Sequence, residues 1–551
     1  MPGALPLVIA LGGHRDLREE DVPELEVQLG EILAGFRRRY PHSPLIVLSS
    51  LAEGADRLGA RVILAQGLRL VAPLPLRPDE YERDFNSMDS RAEFANLLSK
   101  AEEWFVVPSE PGDSRERRYA RAAAYMAQRS QVVIALWDGH LPRSEAGTAQ
   151  LVRFALDGVP EGYGETRSAL DTDERRPVIQ IVTPRQNAAA HVVHQVSAQY
   201  HYPAGDGDAV VTARPFREIW QRTDDFNRDA TRLTARSGHG RSGIRRHLLS
   251  DADVTPLSER FRAIHRCYGF ADALSIHFQQ WTRRTLRGLL LLVFVASGAL
   301  QLERLRPQTR ALSITYFAAL ALAYGWWLWS RRARFQTRHL DYRALAEGLR
   351  VQFFWQLVGL PGSPADHYLR KQRSELDWIR RAMRAFDLGA ASIDPGVDAE
   401  LLARRLQLAL EHWVRPELNY FARAAARNSR THWTIRALGH AFFAVAVVLA
   451  GVTPFLAVSD PLLVAGSLVA VVTALAQVYA DRMALAPLAK QYSRLSFLFT
   501  AAREAVAASV ETRDYAAGQR LLRELATEVL TENGDWVLLH RERPVDVPRL
   551  R

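Results

Sequence analysis

The chain is 551 residues long, 48% hydrophobic and 24% charged, with a formal net charge of +10. A single cysteine, Cys267, excludes an internal disulfide and any multi-cysteine metal site, and fits a chain whose bulk faces reducing cytoplasm. Lysine occurs only at Lys100, Lys371 and Lys490; the arginine-rich balance is read as codon bias plus charge flanking apolar spans, since no basic groove with interleaved aromatics marks a nucleic-acid surface.

The first apolar run ends at Gly12-Gly13-His14-Arg15. It is too short for a signal peptide and lacks a basic n-region, so it reads as a strand. Across residues 1–185, strands are predicted at 5–12, 45–51, 68–76, 104–108, 131–138 and 178–183. Helices are predicted between them at 21–39, 55–66, 90–101, 115–129 and 148–157. Such alternation implies a Rossmann-like α/β domain with a doubly wound parallel sheet. Runs such as Val132 to Trp137 are apolar throughout, as expected of strands buried on both faces. Residues 158–176 read as a polar surface insertion.

Residues 186–257 form a linker with loop signals at 205–208 and 237–243 and a helix between them at 216–235. From 256 a helical pattern runs through Trp281 into the first apolar segment. The region beyond is expected to be all-α, with four transmembrane helices in two hairpins: 286–302 with 312–329, and 435–456 with 462–479. Module boundaries are expected at 258–360, 361–432 (cytoplasmic helices) and 433–551. Shifting the sequence by 150 positions lays one hairpin on the other and Tyr342-Arg343-Ala344-Leu345 on Tyr492-Ser493-Arg494-Leu495, a parallel internal repeat. Each hairpin is followed by a helix, 331–360 and 483–510.

Arg283, Arg284 and Arg287 precede the first hairpin and Arg331, Arg332, Arg334 and Arg338 follow it, against Arg304, Arg306 and Arg310 in its loop. The second hairpin is flanked by Arg430, Arg436 and Arg482 and has no basic residue in its loop. Both termini are therefore expected in the cytoplasm. Trp326, Trp327 and Trp329 read as an interfacial belt. Polar residues in the spans are few (Ser297, Gln301, Ser313, Thr315, His440 and Thr453 among them) and suit packing between helices. A pore would need several chains, with Ser467, Thr473 and Gln477 as its lining. A homo-oligomer in the lipid bilayer is the expected state.

Three clusters fall at the carboxyl edge of the predicted sheet, where open α/β sheets bind ligands. They are Gly12, Gly13, His14 and Arg15; Glu53, Gly54, Ala55, Asp56 and Arg57; and Asp138 and Gly139 with Gly147 and Thr148. Glycines let a ligand approach the backbone, Arg15 suits a phosphate, and the helix starts at 55 and 148 offer free N–H groups to an anion. Singly, each has a structural alternative: Gly12-Gly13 as a turn, Asp56 as a helix cap, Arg57 as a solvated ion pair, His14 as a packing residue.

Gly13-His14-Arg15-Asp16-Leu17, the run 50–57 and Leu74-Pro75-Leu76 resemble the SLOG superfamily. So do the run 80–85 and Trp137-Asp138-Gly139 with Gly147-Thr148. That superfamily is the Rossmann-like fold of the DNA-uptake protein DprA, the cytokinin-activating LOG enzymes and the cytoplasmic head of TRPM channels. Residues 342–355 and 532–544 resemble SLATT domains, transmembrane effectors of bacterial conflict systems. The resemblance implies an effector in the bacterial inner membrane that senses a nucleotide second messenger or nucleotide metabolite and forms a pore or disrupts lipid. No cofactor is implied beyond that nucleotide-derived ligand, and no metal. LOG hydrolases carry Pro-Gly-Gly-x-Gly-Thr-x-x-Glu; here Gly147-Thr148 align, but the first three positions read Arg143-Ser144-Glu145 and the catalytic glutamate is replaced by Leu151. Leucine moves no proton, so binding is expected rather than hydrolysis, with Glu145 or Glu53 as the substitutes an enzyme would need. The alternatives are a membrane-tethered nucleotide N-glycosidase and a DNA-binding module.

Overall fold

The computed structural model describes residues 3–140, 147–163, 174–186, 197–203, 213–236, 247–306, 309–369, 376–389, 398–452 and 460–542. Arg143, Ser144, Glu145, Thr453 and the loops 205–208 and 237–243 lie outside the described residues.

In chain order the elements are β1 (Leu7–Gly13), α1 (Val22–Arg39), β2 (Leu45–Leu48), α2 (Ala55–Ala65), β3 (Arg69–Leu74), α3 (Pro78–Tyr81), α4 (Met88–Lys100), β4 (Glu103–Val106), α5 (Arg115–Arg129), β5 (Val132–Trp137), α6 (Thr148–Asp157), β6 (Val178–Val182) and β7 (Ala198–His201). There follow α7 (Arg214–Arg236), α8 (Asp251–Val254), α9 (Glu259–Leu305), α10 (Arg310–Ala333), α11 (Phe335–Leu357), α12 (Asp377–Ala385), α13 (Ala399–Ala409), α14 (Arg415–Val452), α15 (Asp460–Arg482), α16 (Leu485–Glu511) and α17 (Tyr515–Arg541). The chain divides into two compact units. One comprises Met1–Gly243, Ser250–Tyr268 and Gly348–Asp398; the other comprises Ile244–Leu249, Gly269–Glu347 and Ala399–Arg551.

The first unit is built on a seven-stranded sheet in the order β4-β3-β2-β1-β5-β6-β7. All pairs are parallel except β6–β7. β1 and β5 are apolar and buried almost end to end, which is why they occupy the middle. Helices flank the sheet and bury single stripes, such as Leu25, Leu29 and Leu33 of α1. Ser87 and Ser114 cap α4 and α5 by accepting the N–H of Ser90 and Arg117. The chain winds outward from β1 through β2 and β3 to β4, then crosses back to place β5 on the other side of β1. The sheet's switch point therefore lies between β1 and β5.

Two expectations need correction here. The linker contains a strand, β7, which pairs antiparallel with β6 (Ile179 against Tyr200). The reading of 158–176 as a surface insertion fails at its end. Arg176 is 0% exposed and donates to the carbonyls of Ser130 and Gln128 at 2.9 and 2.7 Å, and Glu174 is buried beside it.

The second unit is helical. Three stretches are long and apolar enough to cross a membrane by length and composition: Glu259–Leu305, Arg310–Leu357 and Pro461–Glu511. The expected fourth span, 435–456, coincides with α14 as far as Val452 and is not among the three; its last residues lie outside those described. α9 is one continuous helix of 47 residues, carrying the buried Cys267 near its start. α10 and α11 are separated by Arg334 alone, in left-handed conformation (φ 53°, ψ 37°). The residue before α16, Ala484, has nearly the same angles (φ 52°, ψ 37°) 150 positions later.

Candidate functional site

A cavity of about 270 Å³ opens at the carboxyl edge of the sheet, at the switch point. Gly12, Gly13, His14, Arg15, Asp56, Gly147 and Thr148 line it, so each of the three predicted clusters contributes to it, while Glu53, Gly54, Ala55, Arg57, Asp138 and Gly139 do not. At the β1 end the geometry requires glycine at Gly13 and leaves little room at Gly12. A Cβ on Gly13 would lie 2.3 Å from that of Ala55, and one on Gly12 would lie 2.9 Å from Leu151.

The remaining predicted residues serve as supports. Gly54, at φ +80°, precedes α2, and a Cβ on it would sit 2.3 Å from the Arg15 carbonyl oxygen. Ala55 N–H donates to the His14 carbonyl at 2.9 Å, so this pair holds the loop after β1 against α2. Glu53 is spent on structure: its carboxylate accepts the backbone and side-chain N–H groups of Asn86, both at 3.0 Å, and the Ser90 hydroxyl. Arg57 is only 2% exposed. It donates to the Leu51 and Ser90 carbonyls and lies 4.3 Å from the Phe85 ring centre, so it is no solvated ion pair. Asp138 accepts from Arg185 Nε at 3.1 Å, and Gly139 makes the turn after β5 at φ +87°.

His14 is buried at 4% exposure, and its Nε2 accepts the Asp138 N–H at 3.0 Å. Burial pulls its pKa below the usual value, against the opposing pull of the Asp138 carboxylate. We therefore read a neutral imidazole that locks the ends of β1 and β5 together. The 3.3 Å approach of Nε2 to the Asp138 carboxylate is secondary to that bond.

Three groups face the cavity with chemistry to spare. Arg15 is exposed and makes no ion pair among the described residues; its guanidinium lies 5.7 Å from the centre of the Tyr119 ring. Tyr81 is 0% exposed, and its hydroxyl has no hydrogen-bond partner among the described residues. A buried hydroxyl calls for a partner, and this one belongs to a residue that lines the cavity. Asp56 is 5% exposed, and its Oδ1 accepts the Gly13 N–H at 3.2 Å. Burial raises its pKa to about 7, outweighing the backbone N–H bonds from Ala52 and Gly13 and the nearby charge of Arg15. At α6, Gly147 (φ +111°) lets the chain turn into a helix whose first N–H groups have no carbonyl partner within it. Tyr81, Tyr119 and Arg185 were not singled out from sequence. Tyr81 lies inside one of the quoted motifs, but its missing partner is a tertiary fact.

Of the pore candidates, Thr473 and Gln477 line a groove of about 550 Å³ with residues of α14 such as Gly439 and Phe443; Ser467 does not. The hydroxyls of Ser467 and Thr473 donate to carbonyls of their own helix at 2.8 and 2.9 Å. Among the described residues no group of His, Cys, Asp and Glu is placed to hold a metal ion. No protein-family model, no curated protein and no solved structure matches this chain.

Proposed function

We propose that the chain is a membrane effector gated by a phosphate-bearing, nucleotide-derived ligand that binds at the switch-point cavity. The observation that carries this is the pairing, in one cavity, of two groups without partners among the described residues: Arg15, which makes no ion pair, and the buried phenol of Tyr81, which makes no hydrogen bond. A phosphate oxygen satisfies both, and the α6 N-terminus adds N–H donors. The SLOG-like motifs name the ligand class, and the SLATT-like segments name the output, a pore or a disturbance of lipid. Four spans, cytoplasmic termini and assembly of several chains belong to this reading.

Calorimetric titration of the full chain in detergent with a panel of nucleotides, cyclic dinucleotides and adenine-dinucleotide derivatives tests it. Arg15→Ala should weaken binding by roughly 10- to 100-fold and Tyr81→Phe by up to about tenfold. Absence of binding by every compound, or equal affinity in both variants, removes the site. Liposomes carrying the protein should leak only with ligand present; leakage without ligand removes the gating.

The enzymatic reading, a nucleotide N-glycosidase, is favoured by one observation: the Asp56 carboxyl, titrating at about 7, faces the cavity where LOG enzymes use the glutamate replaced here by Leu151. Release of free base from nucleoside monophosphates, abolished by Asp56→Asn, would replace the receptor with an enzyme.

A further inference from the structure

A second cavity, of about 390 Å³, lies wholly within the helical unit, among α9, α11, α14, α17 and the α15–α16 junction. Its acids are already engaged. Arg343 lies 3.4 Å from Asp272 and 3.5 Å from Glu347, and Gln491 donates to Glu532 at 2.6 Å. Two of its cations are not: Arg283 and Arg427 are exposed and make no ion pair among the described residues. The cavity also presents buried apolar side chains, including Leu286, Phe421 and Leu488. Cations beside an apolar wall suit an amphiphile with an anionic head.

Its place along the helices points the same way. Arg283 stands three residues before the apolar stretch 286–302, and Arg482 three residues after 462–479. Arg427 precedes 435 by eight residues. At 1.5 Å per residue, all lie within roughly 12 Å of an apolar end. Trp281, Trp329 and Phe335 cluster at the same level, with ring centres 5.0 to 5.7 Å apart, and Arg284 lies over Trp281. Aromatic clusters of this kind settle at the headgroup layer, and basic pockets between membrane helices recognise acidic headgroups.

We propose that this cavity binds a phosphate-bearing anion at the headgroup level, with Arg283 and Arg427 as its charge partners. The chemistry is shared by an acidic phospholipid and by a soluble phosphate compound. The proposal assumes the membrane reading of the helices but not a ligand in the α/β unit.

Native mass spectrometry of the full chain separates the sources. In detergent supplemented with phosphatidylglycerol, the protein should retain lipid that phosphatidylcholine does not replace. The double variant Arg283→Ala/Arg427→Ala should lose roughly tenfold or more in affinity for it. Arg331→Ala/Arg332→Ala, outside the cavity, should retain lipid as the parent does, and so should Arg15→Ala. In nanodiscs of phosphatidylcholine alone, inorganic pyrophosphate reports the soluble source: a rise in unfolding temperature, absent in the double variant, assigns the site to a soluble phosphate. If the double variant fails to fold, the parent alone decides. Equal retention of the two lipids together with no response to pyrophosphate overturns the proposal. So does a folded double variant that behaves as the parent.

Discussion

Around the cavity of the α/β unit, left-handed backbone is taken by Gly54, Gly139 and Gly147, with Leu51 the exception; in the helical unit, the junctions after α10 and α15 use Arg334 and Ala484. The difference lies in what surrounds each residue. At Gly54 a side chain would enter space held by the Arg15 and His14 carbonyls. At Arg334 and Ala484 a side chain is accommodated, that of Ala484 fully buried, at a backbone cost of about 1–2 kcal/mol. One region uses left-handed turns to bring backbone onto backbone at a site. The other uses the same turn twice, 150 positions apart, to redirect a helix. The backbone geometry (φ 53° and 52°) recurs 150 positions apart although the residues differ, Arg334 in one place and Ala484 in the other.

Gly54→Ala should have the largest effect on this contrast. Steric overlap at 2.3 Å adds to the positive φ, so a loss of about 4 kcal/mol or more is expected, read as a fall in the denaturant midpoint. A loss under about 1 kcal/mol would mean that the loop after β1 relaxes freely and the contrast is empty. The next largest concerns Asp56, which the same loop encloses. Its folded pKa of about 7 lies above the ordinary carboxyl value near 4, so the unfolded chain releases this proton first as pH rises. The stability it contributes is complete below about pH 4 and is lost as pH climbs through about 7. Asp56→Asn should flatten that slope and leave the protein more stable at pH 8 by on the order of 3–4 kcal/mol. Parallel pH–stability curves for variant and parent would show that Asp56 is not held by its burial.

Gly147→Ala tests a positive φ without a clash, since nothing lies within 4 Å of a Cβ there. Backbone strain alone should cost about 1–3 kcal/mol. Ligand affinity should fall further than stability if the α6 N-terminus holds an anion. The smallest effect is expected in the helical unit. Arg334→Gly should stabilise by about 0.5–1 kcal/mol, visible as a rise in unfolding temperature, and Ala484→Gly should gain less, because the buried methyl it removes offsets the relief. A loss at one position and a gain at the other would break the equivalence of the two junctions.

The α/β architecture was legible because its signals are local. The predicted helices 115–129 and 148–157 coincide with α5 and α6, and the six expected strands all appear with shifts of a few residues at their ends. β7 escaped because Ala198-Gln199-Tyr200-His201 is only four residues long and mostly exposed; its pairing with β6 makes it a strand. The site was legible at the level of chain segments, because strand ends of a parallel sheet share one edge. Individual roles were not. Glu53 and Arg57 sit in the right segment, yet their partners, Asn86 and Ser90, lie about 33 residues away in sequence, and that packing turns both from ligand groups into braces. Tyr81 shows the reverse, an ordinary tyrosine in a four-residue helix whose interest lies in a hydroxyl with no hydrogen-bond partner among the described residues. Among the spans, hydropathy located the apolar runs, and three of the resulting stretches reach the length and composition of a crossing.

The lone thiol of Cys267, sealed at 0% exposure, makes the chain a natural host for site-directed probes. A maleimide or nitroxide reagent finds no native target on the folded surface, so no background cysteine has to be engineered away. A cysteine introduced where the side chain is open, as at Phe497 (77% exposed), becomes the single reporter. Pairs of such reporters on α10 and α15 would register, as a change in distance, whether an added nucleotide or lipid shifts one helix against the other.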